Sequence, residues 1–368
     1  MNANDEKKQV IIRNIEYLLT SSPYAENDTA ASDLFSDTIS ELFSYHLKSS
    51  ELYRNIIQGL SGSQITTTPE TLADLPFLPV NLFKELDLKS SPTDQIVKTM
   101  TSSGTSGQVS KIYLDKDTAR YQGKVLNSIV SSFIGNKRIP LLVIDSEKTV
   151  KDRNYFSART AAIQGFSLFG KKPAFALNDD FTLNEAVVRD FFEQYSSGPY
   201  FVFGFTALVY FNFLHALKER NLSFKSNQGT LIHGGGWKKL QDQAVSNEQF
   251  KAFTQDTTGI QKVHNYYGMV EQTGSIFFEC EEGHLHCSKY SDVYIRRADF
   301  SLCEPGEAGL IQVLSLLPLS YPGFNLLTED MGEITSMDNC PCGRSGKTFK
   351  VHGRAKRAAI RGCSDVQY

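Results

Sequence analysis

Three short apolar runs, LLVID at 141–145, YFVFG at 200–204 and TLIHG at 230–234, each end in Asp or Gly. The first two are followed by helix-like stretches, the clearest being TALVYFNFLHALKER. Apolar runs of this length closed by turn residues read as buried strands. Alternating with helices, they predict an α/β architecture whose strand ends face a crevice.

The flanks differ. Val10, Ile11, Ile15, Leu18 and Leu19 recur at helical spacing, as do Leu34, Phe35, Ile39, Leu42, Phe43 and Leu47, so the first sixty residues are expected to be mostly amphipathic helix. Pro76 and Pro79 then forbid a continuous helix through LADLPFLPVNLFKELDL. Beyond residue 273 the pattern turns strand-rich, with SIFFEC, DVYIRR and GLIQVLSLL. The expected division is 1–95 helical, 96–272 α/β core, 273–352 β-rich subdomain and 353–368 tail.

A net charge of −3 gives no global basic field, which argues against nucleic acid as the principal partner. The six cysteines all fall between Cys280 and Cys363, unlike a disulfide framework spread over a secreted protein, so a reduced, cytoplasmic setting is expected. No stretch reaches eighteen unbroken apolar residues, so no membrane span is expected.

The segment TSSGTSGQVSKIYLDK, 101–116, gathers small polar residues, two glycines and a lysine, the material of an anion-binding loop. Gly104 and Gly107 are too close, and lack the following Lys, for a Walker loop. They still let the backbone turn with exposed N–H groups, beside hydroxyls of Ser102, Ser103, Thr105 and Ser106 that can donate to phosphate oxygens. Lys111 can add a point charge. A solvated turn would use the same residues.

The SSGTSG element resembles the phosphate loop of adenylate-forming enzymes. Later signatures follow in the superfamily's order: NYYGMVEQ (265–272) resembles its Tyr-Gly-x-Thr-Glu segment, LTEDMGEI (327–334) its Thr-Gly-Asp segment, and HGRAKRAAIRG (352–362) its Gly-Arg hinge. Together with LPFLPVNLFK, LIHGGGWKK and the terminal RGCSDVQY, they resemble the LuxE-type acyl-protein synthetases, with phenylacetate-CoA ligases as a second group of relatives. The resemblance implies the N-terminal core of an adenylate-forming enzyme, and an activity that adenylates a carboxylic acid, a fatty acid in this family, with ATP and Mg2+.

By that resemblance Ser102, Ser103, Gly104, Thr105, Ser106 and Gly107 would hold the outer phosphates and Glu271 the magnesium ion. Gly234, Gly235 and Gly236 would leave room for the adenine, Tyr267 would stack on it, and Asp330 and Arg354 would bind the ribose. Two positions depart from the superfamily: Val270 replaces a threonine, and Val109-Ser110-Lys111 replace a Pro-Lys pair. Superfamily members usually continue for roughly 100 residues, the size of a small domain, past the hinge. This sequence has fourteen after Arg354. The cation normally found there is expected from Lys238, Lys239, Lys356 or a partner. Cys363, on a short tail near Arg361, Arg357 and Lys356, would take the acyl group as a thioester. An acyl-protein reductase or another acyl-accepting protein is the implied partner.

CEEGHLHC and CPCGR offer Cys280, His284, His286, Cys287, Cys340 and Cys342 for tetrahedral N/S coordination. Matching to phenylacetate-CoA ligase relatives singles out Cys280, His286, Cys340 and Cys342 for a closed structural zinc site. His233, just before the glycines, reads either as a contact to the acyl carboxylate or adenine or as a buried, satisfied histidine. Two other functions fit the same residues: an acyl-CoA ligase, and a non-catalytic zinc-bearing scaffold.

Overall fold

The N-terminal helices are α1 (Ala3–Leu18), α2 (Thr29–Ser49) and α3 (Glu51–Ser61), in a computed structural model that describes residues 3–24, 29–61, 71–102, 109–151 and 157–355. Their buried stripes include Ile11, Ile15 and Leu18 on α1 and Ile39, Leu42 and Phe43 on α2, the positions expected from the 3.6-residue period. The proline segment forms a two-residue strand, β1 (Leu78–Pro79), and one helical turn, α4 (Leu82–Glu85).

A hairpin of β2 (Ile96–Thr101) and β3 (Lys111–Asp115) leads into α5 (Lys116–Ile134). The buried Asp115 caps that helix by accepting the Thr118 backbone N–H, and also binds Ser91 and, on α1, Lys8. The helical N-terminus is thereby fastened to the hairpin.

The α/β repeat follows as β4 (Ile139–Ser146), α6 (Lys148–Lys151), α7 (Ala158–Ser167), β5 (Gly170–Leu177), α8 (Glu185–Tyr195) and β6 (Tyr200–Phe205). The stretch read as one helix after β6 runs as a π-helix over Leu208–His215 before tightening to α9 (Ala216–Glu219). Then come β7 (Gly229–Gly234), α10 (Asn247–Thr258) and β8 (Lys262–Tyr267). Ser246 and Gln249 cap the start of α10 reciprocally. At its end Gly259 takes φ +77°, where an added Cβ would lie 2.5 Å from the Ser226 nitrogen.

The remaining strands are β9 (Phe277–Glu279), β10 (Leu285–His286), β11 (Ser291–Arg296), β12 (Gly309–Ser315), β13 (Asn325–Ser336) and β14 (Thr348–Arg354). They continue the sheet begun by the α/β repeat, in the order β11-β12-β13-β14-β10-β9-β8-β7-β6-β4-β5, with β1 beside β13. Strands β4 to β8 are parallel, and from β8 to β11 the pairs are antiparallel. The carboxyl ends of β7 and β8 therefore open toward the residues carried by β13 and β14.

Candidate active site

The phosphate-loop candidate is the connection of the β2–β3 hairpin. Its neck is closed twice: the Ser102 N–H donates to the Ser110 carbonyl at 3.1 Å, and the Ser110 N–H donates to Ser102 Oγ at 2.9 Å. Ser103, Gly104, Thr105, Ser106 and Gly107 lie outside the described residues. Lys111 is half-exposed on β3, with Nζ 3.7 Å from Asp87.

Glu271 faces the buried Ser110 at that neck. It lies on a single 3-10 turn, Val270–Gln272, after β8 and is only 6% exposed. Tyr321 fixes the turn by donating its hydroxyl to the Glu271 carbonyl at 2.8 Å. Burial pushes the Glu271 carboxyl above the ordinary range, while Ser110, Lys84 and Arg354 pull it back. A carboxylate is a hard oxygen donor of the kind that suits a divalent cation. Val270, in the position of the superfamily's threonine, is buried in the core.

The glycine turn after β7 has two parts. Gly234 is closed over by the Tyr266 ring, which an added Cβ would meet at 2.5 Å. Gly235 and Gly236 are exposed with φ of +82° and +64°, and nothing lies within 4 Å of a Cβ at Gly236. The register pairs Gly234 with Tyr266, so this open backbone begins alongside Tyr267. His233 is buried, stacked on Phe250 with ring centroids 4.3 Å apart. Its Nδ1 lies 3.0 Å from Thr206 Oγ1 and its Nε2 has no partner among the described residues. Burial lowers its pKa to about 3, so the ring is neutral.

Tyr267 and Asp330 meet directly, the phenol donating to Asp330 Oδ2 at 2.7 Å. Arg354 Nε lies 3.5 Å from Asp330 Oδ1. Burial raises the Asp330 pKa, and the Tyr267 hydrogen bond and the Arg354 charge oppose it. Next to Asp330, Glu329 accepts from Arg354 at 2.7 Å and from the Asn81 amide at 2.5 Å. The Ala355 N–H donates to the Glu329 carbonyl at 2.9 Å, which anchors the end of β14.

Cys280, His286, Cys340 and Cys342 come together with their ligand atoms all within 4.8 Å of one another. Cys280 Sγ and Cys340 Sγ are 3.7 Å apart, and Cys342 Sγ is 3.3 Å from His286 Nε2. Tetrahedral zinc with Zn–S distances of about 2.3 Å separates two sulfurs by about 3.8 Å, so the set fits the ion. Two turns present the ligands: Gly283 (φ +78°) follows Cys280, and Gly343 (φ +78°) lets the Arg344 N–H donate to Cys342 Sγ at 3.5 Å. Burial pushes Cys280 up to about 12 and His286 down to about 4. His284 and Cys287, the unchosen candidates, are not in the group.

A family model for the LuxE acyl-protein synthetases matches residues 1–367. The chain belongs to that family. Among similar proteins, the long-chain-fatty-acid–luciferin-component ligase of Vibrio harveyi is 24% identical over 350 residues, covering 90% of this chain and 86% of the relative. Its namesake from Aliivibrio fischeri is 25% identical over 339 residues, covering 89% and 85%. Among solved structures, an open form of 2-hydroxyisobutyryl-CoA ligase with 2-HIB-AMP and CoA superposes with a TM-score of 0.69 over 91% of this chain and 77% of that one, at 13% identity. The likeness shows that this LuxE-family chain has the fold of an adenylate-forming enzyme.

Lys356 and Cys363 lie outside the described residues, as do the side chains of Lys238 and Lys239, which open a 3-10 helix. The structure also brings in Ser110, Asn81, Lys84 and Glu329, none of which is a site candidate by sequence. Lys84 and Asn81 sit inside the LPFLPVNLFK motif, and Glu329 stands where the superfamily's segment has glycine. Both were visible signals without a spatial partner. Among the described residues no helix is long and apolar enough to cross a membrane.

Proposed function

We propose that this LuxE-family enzyme adenylates a long-chain fatty acid and transfers the acyl group to a thiol, that of its own Cys363 or of a partner protein. The observation that carries this reading is the convergence of the Ser102–Ser110 neck, Glu271, and the Tyr267–Asp330–Arg354 group around the ends of β7 and β8. The names of the two relatives favour a long-chain acid.

In the first step a carboxylate oxygen bonds to the α-phosphorus of ATP as the bond to pyrophosphate breaks. Backbone and hydroxyl donors of the 102–107 loop would offset charge on the departing phosphates. Glu271 would hold magnesium, which would supply positive charge to offset that of the phosphates. Asp330, acceptor-only when ionised, would take the ribose hydroxyls, with Arg354 beside them and the open Gly235–Gly236 backbone toward the base. In the second step a thiolate attacks the acyl carbon and AMP leaves, forming a thioester. Cys280, His286, Cys340 and Cys342 would hold a structural zinc ion with no part in these steps. A reduced cytoplasmic setting suits a reactive tail thiol, and an acyl-protein reductase or other acyl-accepting protein would receive the product.

Exchange of labelled pyrophosphate into ATP across a series of fatty acids tests the first step. Exchange with no acid would sink the reading. Intact mass after incubation with acid and ATP tests the second: Cys363→Ser is expected to keep exchange and to lose the acyl adduct. An undiminished adduct would assign the acceptor elsewhere, and release of acyl-CoA instead would favour the CoA-ligase alternative.

Asp330→Ala is expected to raise KM for ATP about 10- to 100-fold, since hydrogen bonds to a charged group contribute about 1.5–3 kcal/mol. The raised pKa of Asp330 also sets a sign. ATP binding weakens as falling pH protonates the acceptor, and that dependence disappears in the Ala variant. Kinetics of exchange across pH check both.

A further inference from the structure

Lys84 reaches the crevice on a short tether. β1 pairs with β13, and the Val80 N–H donates to the Leu327 carbonyl at 2.9 Å. The single turn of α4 therefore stands beside Glu329 and Asp330. The Lys84 side chain is only 16% exposed. Of its three ammonium donors, one makes a hydrogen bond among the described residues, to Asn81 Oδ1 at 2.6 Å.

A purely structural role would be to pin Glu329. That carboxylate is already held by Asn81 at 2.5 Å and Arg354 at 2.7 Å, whereas Lys84 Nζ stays 3.9 Å away, beyond hydrogen-bond distance. The ammonium is close enough to Glu271 for its charge to act on that carboxyl. A mostly desolvated cation with spare donors, 3.9 Å from Glu329 and within electrostatic reach of Glu271, suits an incoming polyanion.

We infer that Lys84 is a catalytic residue that donates to phosphate oxygens of ATP and offsets charge on the pyrophosphate as it leaves. The inference rests on the adenylation reading above. Asn81 positions the ammonium through its side-chain oxygen.

Calorimetric titration of the full chain with Mg·ATP and with adenosine, for wild type, Lys84→Gln and Lys84→Arg, tests it. Lys84→Gln is expected to weaken Mg·ATP binding about 10- to 100-fold, as loss of a charge-assisted contact would, and to leave adenosine binding within about twofold. Lys84→Arg is expected to keep most of the Mg·ATP affinity. Lys84→Met, which retains the buried stem, replaces the Gln variant if that does not fold. Equal Mg·ATP affinity in wild type and the neutral variant would overturn the assignment. So would a parallel loss of ATP and adenosine, the mark of a merely structural lysine. A wild-type chain that binds neither ligand would instead bring down the adenylation reading, and the role of Lys84 with it.

Discussion

Glu271→Gln is expected to lower fatty-acid-dependent pyrophosphate exchange by about 10²- to 10³-fold, the loss typical when one transition-state electrostatic contact is removed. The substitution keeps shape and volume and deletes the charge that would bind magnesium. Its effect on the free protein should have the opposite sense. Burial raises the Glu271 pKa above its unfolded value, so the native state binds the proton more tightly than the unfolded chain. Stability associated with this group is then greatest at acid pH and is lost as pH rises through the raised folded pKa. Removing the carboxylate should raise the melting temperature at pH 8, with a smaller difference at pH 5. Thermal melts at several pH values and the exchange assay read the two effects separately. A Gln variant with wild-type exchange would remove Glu271 from the mechanism. A variant both inactive and less stable at pH 8 would show that the carboxylate serves the fold rather than the phosphates.

Strands β4, β6 and β7 are buried on both faces, with Leu141 to Ile144 and Tyr200 to Phe203 fully covered, and such strands are written as unbroken apolar runs. Strand β5 lies at the sheet edge with Lys171 and Lys172 exposed, and β8 reads KVHNYY, so neither shows a clean pattern. The stretch TALVYFNFLHALKER showed helix but not its π form, because apolar spacing does not report which carbonyl each N–H selects. At the candidate site, the order of motifs along the chain singles out Tyr267, Asp330 and Arg354, which meet in the structure. The Asn81–Glu329 contact spans 248 positions, and nothing local at either residue announces the other. Lys84 was readable as part of a motif, but its place beside Glu329 depends on β1 pairing with β13.

Stripping metal from the Cys280–His286–Cys340–Cys342 group, or replacing Cys340 by Ser, is expected to lower the melting temperature by about 10 °C. Zinc binding supplies about 10–16 kcal/mol in zinc-finger peptides. In a larger chain with its own core only part of that should be lost, and about 2–4 °C per kcal/mol applies to domains of some 150–250 residues. Purified protein should carry one zinc per chain by elemental analysis. The loss should be felt along a specific route. His286 lies on β10, which pairs with β14 through Leu285–Phe349 and His286–Thr348. Phe349 packs edge-on against Phe277 at 5.0 Å and against Tyr267 at 6.1 Å, and the same strand ends in Arg354. Loosening β10 therefore relaxes the ring that bonds Asp330 and the guanidinium beside it. Metal-depleted enzyme should show a raised KM for ATP with a smaller change in kcat, restored by added zinc. Full stability and unchanged ATP affinity after verified removal of the metal would show that the four ligands are packed thiols and an imidazole, with β14 held in place by the sheet alone.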